Sequence, residues 1–123
     1  MNKSIKVIVW NREFDLDIIY QQYSGEEATD LQINVADSLA EIDFNLNLKE
    51  VTDYIINQYG AEIGTDEITN VFRYVMPKRI FITRSEKRIF AIVCNFKLDM
   101  EHGIAIVYED GKFKEVGPLD IIL

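Results

Sequence analysis

The segment RIFAIVCNF, residues 88–96, constrains the fold more than any other stretch of the chain. Its residues from Ile89 to Val93 are all apolar, so a strand here carries apolar side chains on both faces. Such a strand must be covered on both sides, which indicates a central strand of a sheet. The segment RIFIT, residues 79–83, precedes it across the polar turn RSEK. The two runs together predict a β-hairpin.

Strand patterns also occupy both ends of the chain. SIKVIVW and FDLDIIY, residues 4–10 and 14–20, flank the turn-forming NRE and predict an N-terminal hairpin. Near the C-terminus, Asp110 and Gly111 separate two further strand patterns and can adopt the positive φ angles of a type I′ turn. The final LDIIL is either a last short strand or a terminal cover.

The middle of the chain shows helical spacing instead. Ser24 with Glu27 fits a capping box ahead of a helix, and Asn47 with Glu50 fits a second one. Gly60 is a candidate left-handed cap at the end of the second helix. The apolar residues of the first helix recur three or four positions apart: Ala28, Leu31, Val35, Leu39 and Ile42.

A third helix is predicted over residues 65–74. Its apolar residues follow an i, i+3, i+4, i+7 pattern, and Met76, which precedes Pro77, is disfavoured in a helix. The whole pattern predicts an α+β fold: a mostly antiparallel sheet, with an N-terminal hairpin plus a C-terminal meander, and two or three helices inserted in mid-sequence. A chain of 123 residues has the length of a single domain, residues 1–123.

The composition indicates which cellular compartment and which classes of partner to expect. The apolar run at the start breaks at Asn11 with no cleavage site after it, and one cysteine, Cys94, allows no intrachain disulfide. We therefore expect a cytoplasmic protein. No apolar run approaches the roughly 18 residues of a membrane span. The net charge of −8 argues against nucleic acid and anionic membrane as partners. The sequence leaves the oligomeric state unknown.

The charge is unevenly distributed along the chain. From Glu13 to Glu67 there are 14 acidic residues and one basic residue, whereas from Arg73 to Arg88 there are six basic residues and one acidic residue. The two regions can face water or neutralise each other across the fold. Alternatively, the acidic half presents a surface to a basic protein partner. The candidate partner-binding residues are Glu26, Glu27, Asp30, Asp37 and Glu41.

LDMEHG, residues 98–103, contains the single histidine. Asp99, Glu101 and His102 are weak candidates for a metal site, because such a site needs three or four convergent ligands and adjacent side chains diverge. The alternative is a structural turn in which Asp99 accepts hydrogen bonds from turn amides and Gly103 adopts a backbone angle that other residues avoid.

The sequence lacks the common motifs of enzyme active sites. It has no glycine-rich phosphate loop, no nucleophile elbow and no HExxH helix. Cys94 lies in the most apolar strand, where a thiol is usually inert. The sequence therefore predicts no catalytic residue, no cofactor and no cofactor-binding residue, and an enzyme is the less favoured reading.

The segment CNFKLDMEHGIAIVYEDGKFKEVGPLDIIL, residues 94–123, resembles the C-terminal half of an uncharacterised family of small acidic bacterial proteins. In that family an apolar strand leads into a Trp-Asp-x-Glu-His-Gly turn, and a hairpin and an Ile-Gly-x-x-Asp-Ile ending follow. This chain departs at Leu98, Tyr108 and Val116, which all keep apolar bulk. The resemblance covers most of the chain more weakly, through YSGEEATDLQ and MPKRIFI. The matching residues are Asp99, Glu101, His102, Gly103, Gly117, Asp120 and Ile121.

The resemblance implies no known chemistry, but some members of the family look like immunity or accessory proteins of bacterial toxin systems. Three functions therefore remain open. The first is a non-enzymatic protein-binding module, of immunity type, that masks a basic partner with its acidic helical half. The second is a small enzyme or metal-binding protein that uses Asp99, Glu101 and His102. The third is a structural or accessory subunit that acts through oligomerisation.

Overall fold

In the described part of the chain, residues 3–45, 47–64 and 67–122, six strands form one sheet and lie side by side in chain order. The structure is a computed structural model. All neighbouring strands are antiparallel except β2 and β3, which are parallel. The strands are β1 Lys3–Val9, β2 Arg12–Tyr20, β3 Val75–Ile82, β4 Ile89–Phe96, β5 Ile104–Glu109 and β6 Lys112–Gly117.

The helices lie in the long connection from β2 to β3, because parallel neighbours cannot be joined by a tight turn. This connection contains helix α1, Asp30–Ser38, and helix α2, Leu48–Ile63. A 3₁₀ turn, Leu39–Glu41, follows α1, and another, Val71–Arg73, precedes β3. The predicted α+β fold, with an N-terminal hairpin, a C-terminal meander and two helices in mid-sequence, is confirmed.

Strand β4 is covered on both faces, as its sequence predicts. Phe90 and Ile92 belong to the main core, which the sheet forms with α1 and α2. Ala91 and Val93 face the other way and join a smaller cluster with Ile122. Ile122 lies in a third 3₁₀ turn, Leu119–Ile122, so the described residues of the C-terminal LDIIL form a terminal cover over this second face, and Leu123 lies outside the described residues.

Helix α1 begins later than the sequence predicts. Residues 21–29 are not helical, so the predicted Ser24–Glu27 capping box is wrong. Gly25 has a φ of +81°, which a helix does not accommodate. The capping box is instead formed by Thr29 and Gln32: the Thr29 hydroxyl accepts from the Gln32 N–H at 3.1 Å, and Gln32 Oε1 accepts from the Thr29 N–H at 2.9 Å.

Gln32 also joins α1 to the sheet. It is only 1% exposed, and its Nε2 donates to the carbonyl of Gln21 at 2.9 Å and to that of Ile82 at 3.2 Å. These carbonyls belong to the ends of the parallel pair β2 and β3, where the Gln21 N–H also donates to the Ile82 carbonyl. One buried amide therefore holds the start of the crossover against the seam between two strands.

Helix α2 begins where the sequence predicts, but its ends are built differently. Asn47 precedes the first turn, yet its side chain caps no helix N–H and accepts instead from the hydroxyl of Tyr108. The predicted cap at Gly60 is wrong, because the helix continues to Ile63 and ends at Gly64, with a φ of +70°. Among the described residues, no helix is both long and apolar enough to cross a membrane.

The predicted third helix is wrong over its described residues. Residues 67–70 are not helical, a 3₁₀ turn covers Val71–Arg73, and Val75 already belongs to β3. The side chain of Asn70 accepts from the Phe72 N–H and closes this turn. Thr65 and Asp66, at the start of the predicted helix, lie outside the described residues. Pro77 lies within β3 beside a register irregularity, where its missing N–H is tolerated.

Candidate functional site

The segment between β4 and β5 is a turn organised by Asp99. The carbonyl of Asp99 accepts from the Gly103 N–H at 2.9 Å, and its Oδ1 accepts from the His102 N–H at 3.2 Å. The ring Nδ1 of His102 lies 3.0 Å from Asp99 Oδ2. These are the contacts of a turn acceptor, and they place the histidine ring at the surface.

Gly103 meets two requirements of this turn. Its φ is +61°, a left-handed conformation that glycine adopts without a steric cost. A Cβ added at this position would lie 2.9 Å from the backbone carbonyl oxygen of Cys94. The turn therefore passes so close to strand β4 that a side chain at residue 103 would displace backbone.

The turn at residues 99–103 contacts the terminal 3₁₀ turn of the family-like segment. The carbonyl of His102 accepts from the Leu119 N–H at 3.0 Å. A Cβ added at Gly117 would lie 3.2 Å from the side chain of Ile121, so the absence of a side chain there lets the terminal 3₁₀ turn pack closely. Asp120 is exposed, and its charge contributes to raising the pKa of His102. The turn and the C-terminal cover therefore form one structural unit.

The chemistry expected of a metal site or a thiol nucleophile has little support in this geometry. Among the described residues, no group of three His, Cys, Asp or Glu side chains is arranged to hold a metal ion. Nδ1 of His102 is engaged with Asp99, and Glu101 is exposed. Cys94 is buried, and burial raises the pKa of its thiol, so the thiolate is disfavoured at neutral pH.

The Asp99–His102 pair makes the stability of the fold depend on pH. The hydrogen bond and charge of Asp99 raise the pKa of His102 above its ordinary value of about 6.5, and the backbone N–H of His102 leads the contacts that lower the pKa of Asp99. A raised histidine pKa contributes stability that is complete below pH ~6.5 and is lost as the pH rises through the folded value. The aspartate contribution is lost as the pH falls through its lowered value.

We therefore expect His102→Gln to lower the free energy of unfolding more at pH 5.5 than at pH 8.5, as measured by urea denaturation. Because the chain contains one histidine, its NMR titration is unambiguous. In Asp99→Asn, the midpoint of that titration should fall toward 6.5. A midpoint that does not change in Asp99→Asn would show that the carboxylate does not hold the proton.

The five carboxylates of the predicted partner surface, hereafter the acidic surface, are all exposed: Glu26, Glu27, Asp30, Asp37 and Glu41. Asp30 and Asp37 lie seven residues apart on α1 and therefore on the same side of the helix. The side that packs on the core carries Gln32, Val35 and Ala36. Within the described residues, only Glu26 of this surface forms an ion pair.

Among the described residues, one arginine of the basic segment, Arg84, forms an ion pair with the acidic half, and Arg88 donates to the hydroxyl of Ser38 at 3.4 Å. Nη2 of Arg84 lies 2.9 Å from Glu26 Oε2, and Nη1 donates to the backbone carbonyl of Glu27 at 2.8 Å. The guanidinium also lies 5.8 Å from the ring centre of Tyr23. Neutralisation across the fold is thus local, and it leaves Glu27, Asp30, Asp37 and Glu41 without an ion pair among the residues that the structure describes.

One surface feature of the fold has no signal in the sequence. A cleft of about 650 Å³ lies between α1, the start of α2 and the β5–β6 turn, and both Asn47 and Tyr108 line it. The sequence predicts a helix cap at Asn47 and an apolar strand position at Tyr108. Their hydrogen bond joins positions 61 residues apart. No local pattern could have revealed it.

Comparison with known proteins gives a family and no function. The family described as Domain of unknown function (DUF6985) matches residues 1–123, which is the whole chain. No curated protein and no solved structure matches it. The whole-length match agrees with the expectation of an uncharacterised family. The chain therefore belongs to the DUF6985 family of domains of unknown function.

Proposed function

We propose that this protein is a non-enzymatic protein-binding module of immunity type, which acts in the cytoplasm and masks a basic protein partner with its acidic surface. The observation that carries the proposal is the row of exposed carboxylates on α1 and its following 3₁₀ turn. Asp30, Asp37 and Glu41 have no ion pair among the described residues. Exposed carboxylates that form no ion pair among the described residues remain available to a partner.

The physical consequence of such a row is electrostatic steering. Like charges on one surface attract an oppositely charged partner over a distance of about 10 Å at moderate salt, and this attraction raises the association rate more than it lowers the dissociation rate. The net charge of −8 reinforces the same preference and disfavours DNA, RNA and anionic lipid.

The test is a pair of matched charge variants. E27Q/D30N/D37N removes three charges from the acidic surface, whereas E13Q/D15N/D17N removes three from exposed positions of β2. Leu16 and Ile18 of β2 belong to the main core, so Asp15 and Asp17, which alternate with them, point to the opposite face of the sheet. The partner is captured from native lysate, identified and purified, and its association is measured at about 50 and 300 mM salt.

We expect the first variant to slow association at least tenfold at low salt, with a smaller effect at high salt, and the β2 variant to change it by less than about twofold. Equal effects of the two variants would show that only net charge matters and would contradict the proposed surface. A captured partner that is itself acidic would contradict the proposed chemistry.

A further inference from the structure

The cleft beside α2 has a buried floor below its charged rim, whereas the acidic surface consists of exposed carboxylates. Its rim carries the carboxylates of Glu41, Asp43, Glu50 and Asp110 and the cations of Arg88 and Lys112, so that acidic groups outnumber basic ones by four to two. The aromatic side chains of Phe90, Tyr108 and Phe113 form much of its apolar wall. A volume of about 650 Å³ falls within the range of about 300–1,000 Å³ that is typical of ligand sites.

The floor contains a buried hydrogen-bond donor that the fold does not use. Asn47 is only 3% exposed, and its Oδ1 accepts from the Tyr108 hydroxyl, but its Nδ2 has no partner among the described residues. A buried polar group without a hydrogen bond is costly, on the order of 1–3 kcal/mol, and folded proteins rarely leave one. Asn47 also leaves its usual capping role unfilled at the start of α2.

These two features together define the chemistry of an occupant. The amide Nδ2 is a donor and needs an acceptor, which a free ammonium or guanidinium group does not offer. The carboxylates of the rim need a cation. A peptide with a basic side chain supplies both, because its backbone carbonyl accepts a hydrogen bond and its side chain carries the charge. The partly exposed ring of Phe113 favours arginine over lysine, since a guanidinium stacks on aromatic faces.

We propose that this cleft is the specificity pocket for an arginine-containing segment of the protein partner, with the rim carboxylates binding the guanidinium and Asn47 donating to a backbone carbonyl. The inference rests on the proposed function: the acidic surface attracts the partner, and the cleft binds one arginine side chain of that partner. Residues from four parts of the chain form the pocket, namely α1 with its 3₁₀ turn, the start of α2, β4 with the residue before it, and the β5–β6 hairpin.

The experiment uses blocked tripeptides as probes and follows binding by NMR. We expect acetyl-Gly-Arg-Gly-amide to bind with a Kd at least tenfold lower than acetyl-Gly-Gln-Gly-amide, and to shift the side-chain amide signals of Asn47. E50Q/D110N, which changes two cleft carboxylates outside the acidic surface, should weaken the arginine probe at least fivefold, whereas the matched control D15N/D17N on β2 should leave it unchanged. Equal affinity for the two probes, or shifts confined to residues outside the cleft, would overturn the proposal.

Asn47→Asp distinguishes the contribution of the Asn47 hydrogen bond to binding from the contribution of the rim charges. It replaces the unpaired donor with an acceptor at nearly constant volume and adds one negative charge. If charge alone governed binding, this variant would bind the arginine probe more tightly. We expect it instead to bind the probe at least fivefold more weakly. Thermal unfolding of the variant serves as the control that it is folded. Tighter or unchanged binding would overturn the role of Asn47.

Failure here is distinguishable from failure of the proposed function. If E27Q/D30N/D37N loses the partner while E50Q/D110N and Asn47→Asp bind it normally, the acidic surface stands and the pocket is refuted. If the cleft variants lose the arginine probe while the surface variant keeps the partner, the pocket stands and the steering surface is refuted.

Discussion

Gly103→Ala should lower the free energy of unfolding by about 2–5 kcal/mol, which is large for the addition of a single methyl group. A left-handed alanine costs roughly 1–2 kcal/mol. Relieving a Cβ that lies 2.9 Å from the Cys94 carbonyl oxygen requires movement of β4 or of the turn, for which about 1–3 kcal/mol is typical. Urea denaturation of the wild type and the variant measures the sum.

Gly111→Ala is the matched control. Gly111 also has a positive φ, of +79°, but a Cβ added there meets no atom within 4 Å. This variant should therefore lose only the conformational part, roughly 1–2 kcal/mol. Equal losses at the two glycines would show that the contact with β4 carries no cost, and that the turn is held less firmly against the strand than the geometry indicates.

Gln32→Leu is the second large effect, with an expected loss of about 2–3 kcal/mol. Leucine preserves most of the buried volume but removes the donors to the Gln21 and Ile82 carbonyls and the acceptor for the Thr29 N–H. The Ile82 carbonyl still accepts from the Gln21 N–H, so the unsatisfied groups are the Gln21 carbonyl and the Thr29 N–H. A fully buried unsatisfied group costs on the order of 1–3 kcal/mol, and because these two groups are only partly buried, water relieves part of that cost.

Asn34→Leu on the exposed side of the same helix is the control for Gln32→Leu. It makes a comparable polar-to-apolar change and should alter the free energy of unfolding by no more than about 0.5 kcal/mol. If Gln32→Leu were as mild as Asn34→Leu, the side-chain amide would not be what joins α1 to the sheet.

Sequence patterns predicted the strands well because the alternation of a strand is a local property. Leu16 and Ile18 belong to the core while Asp15 and Asp17 are exposed, and each of these assignments follows from the parity of the position alone. The β5–β6 turn was equally readable, since Asp110 and Gly111 both have the positive φ angles that their dipeptide predicts.

Helix ends were predicted poorly, because more than one local motif competes and tertiary contacts decide between them. Ser24–Glu27 and Thr29–Gln32 both fit a capping box, and the contact of Gln32 with the β2–β3 seam favours the second. Asn47 has the right identity and position for a cap, but Tyr108 takes its side chain. Such competition depends on residues far apart in the sequence.

The candidate sites also differ in how far local sequence determines them. The need for glycine at residue 103 is a backbone requirement, and the motif around it shows that need directly. The cleft could not be foreseen because four separate parts of the chain form it and its central hydrogen bond spans 61 positions. The acidic surface lies between these cases: its charges are visible in sequence, but whether they are paired is decided by Arg84, more than 50 positions away.

The parallel pairing of β2 with β3 also bears on how the chain assembles. Every other neighbouring pair in the sheet is closed by a short connection, whereas Asp17 and its partner Arg79 are separated by roughly 60 positions. The entropy of loop closure is therefore concentrated at one seam. We infer that the four C-terminal strands pair first, through successive local turns, and that the N-terminal hairpin docks onto them afterwards. On this route the acidic surface and the cleft, which lie in or beside the crossover, take shape in the last step of folding.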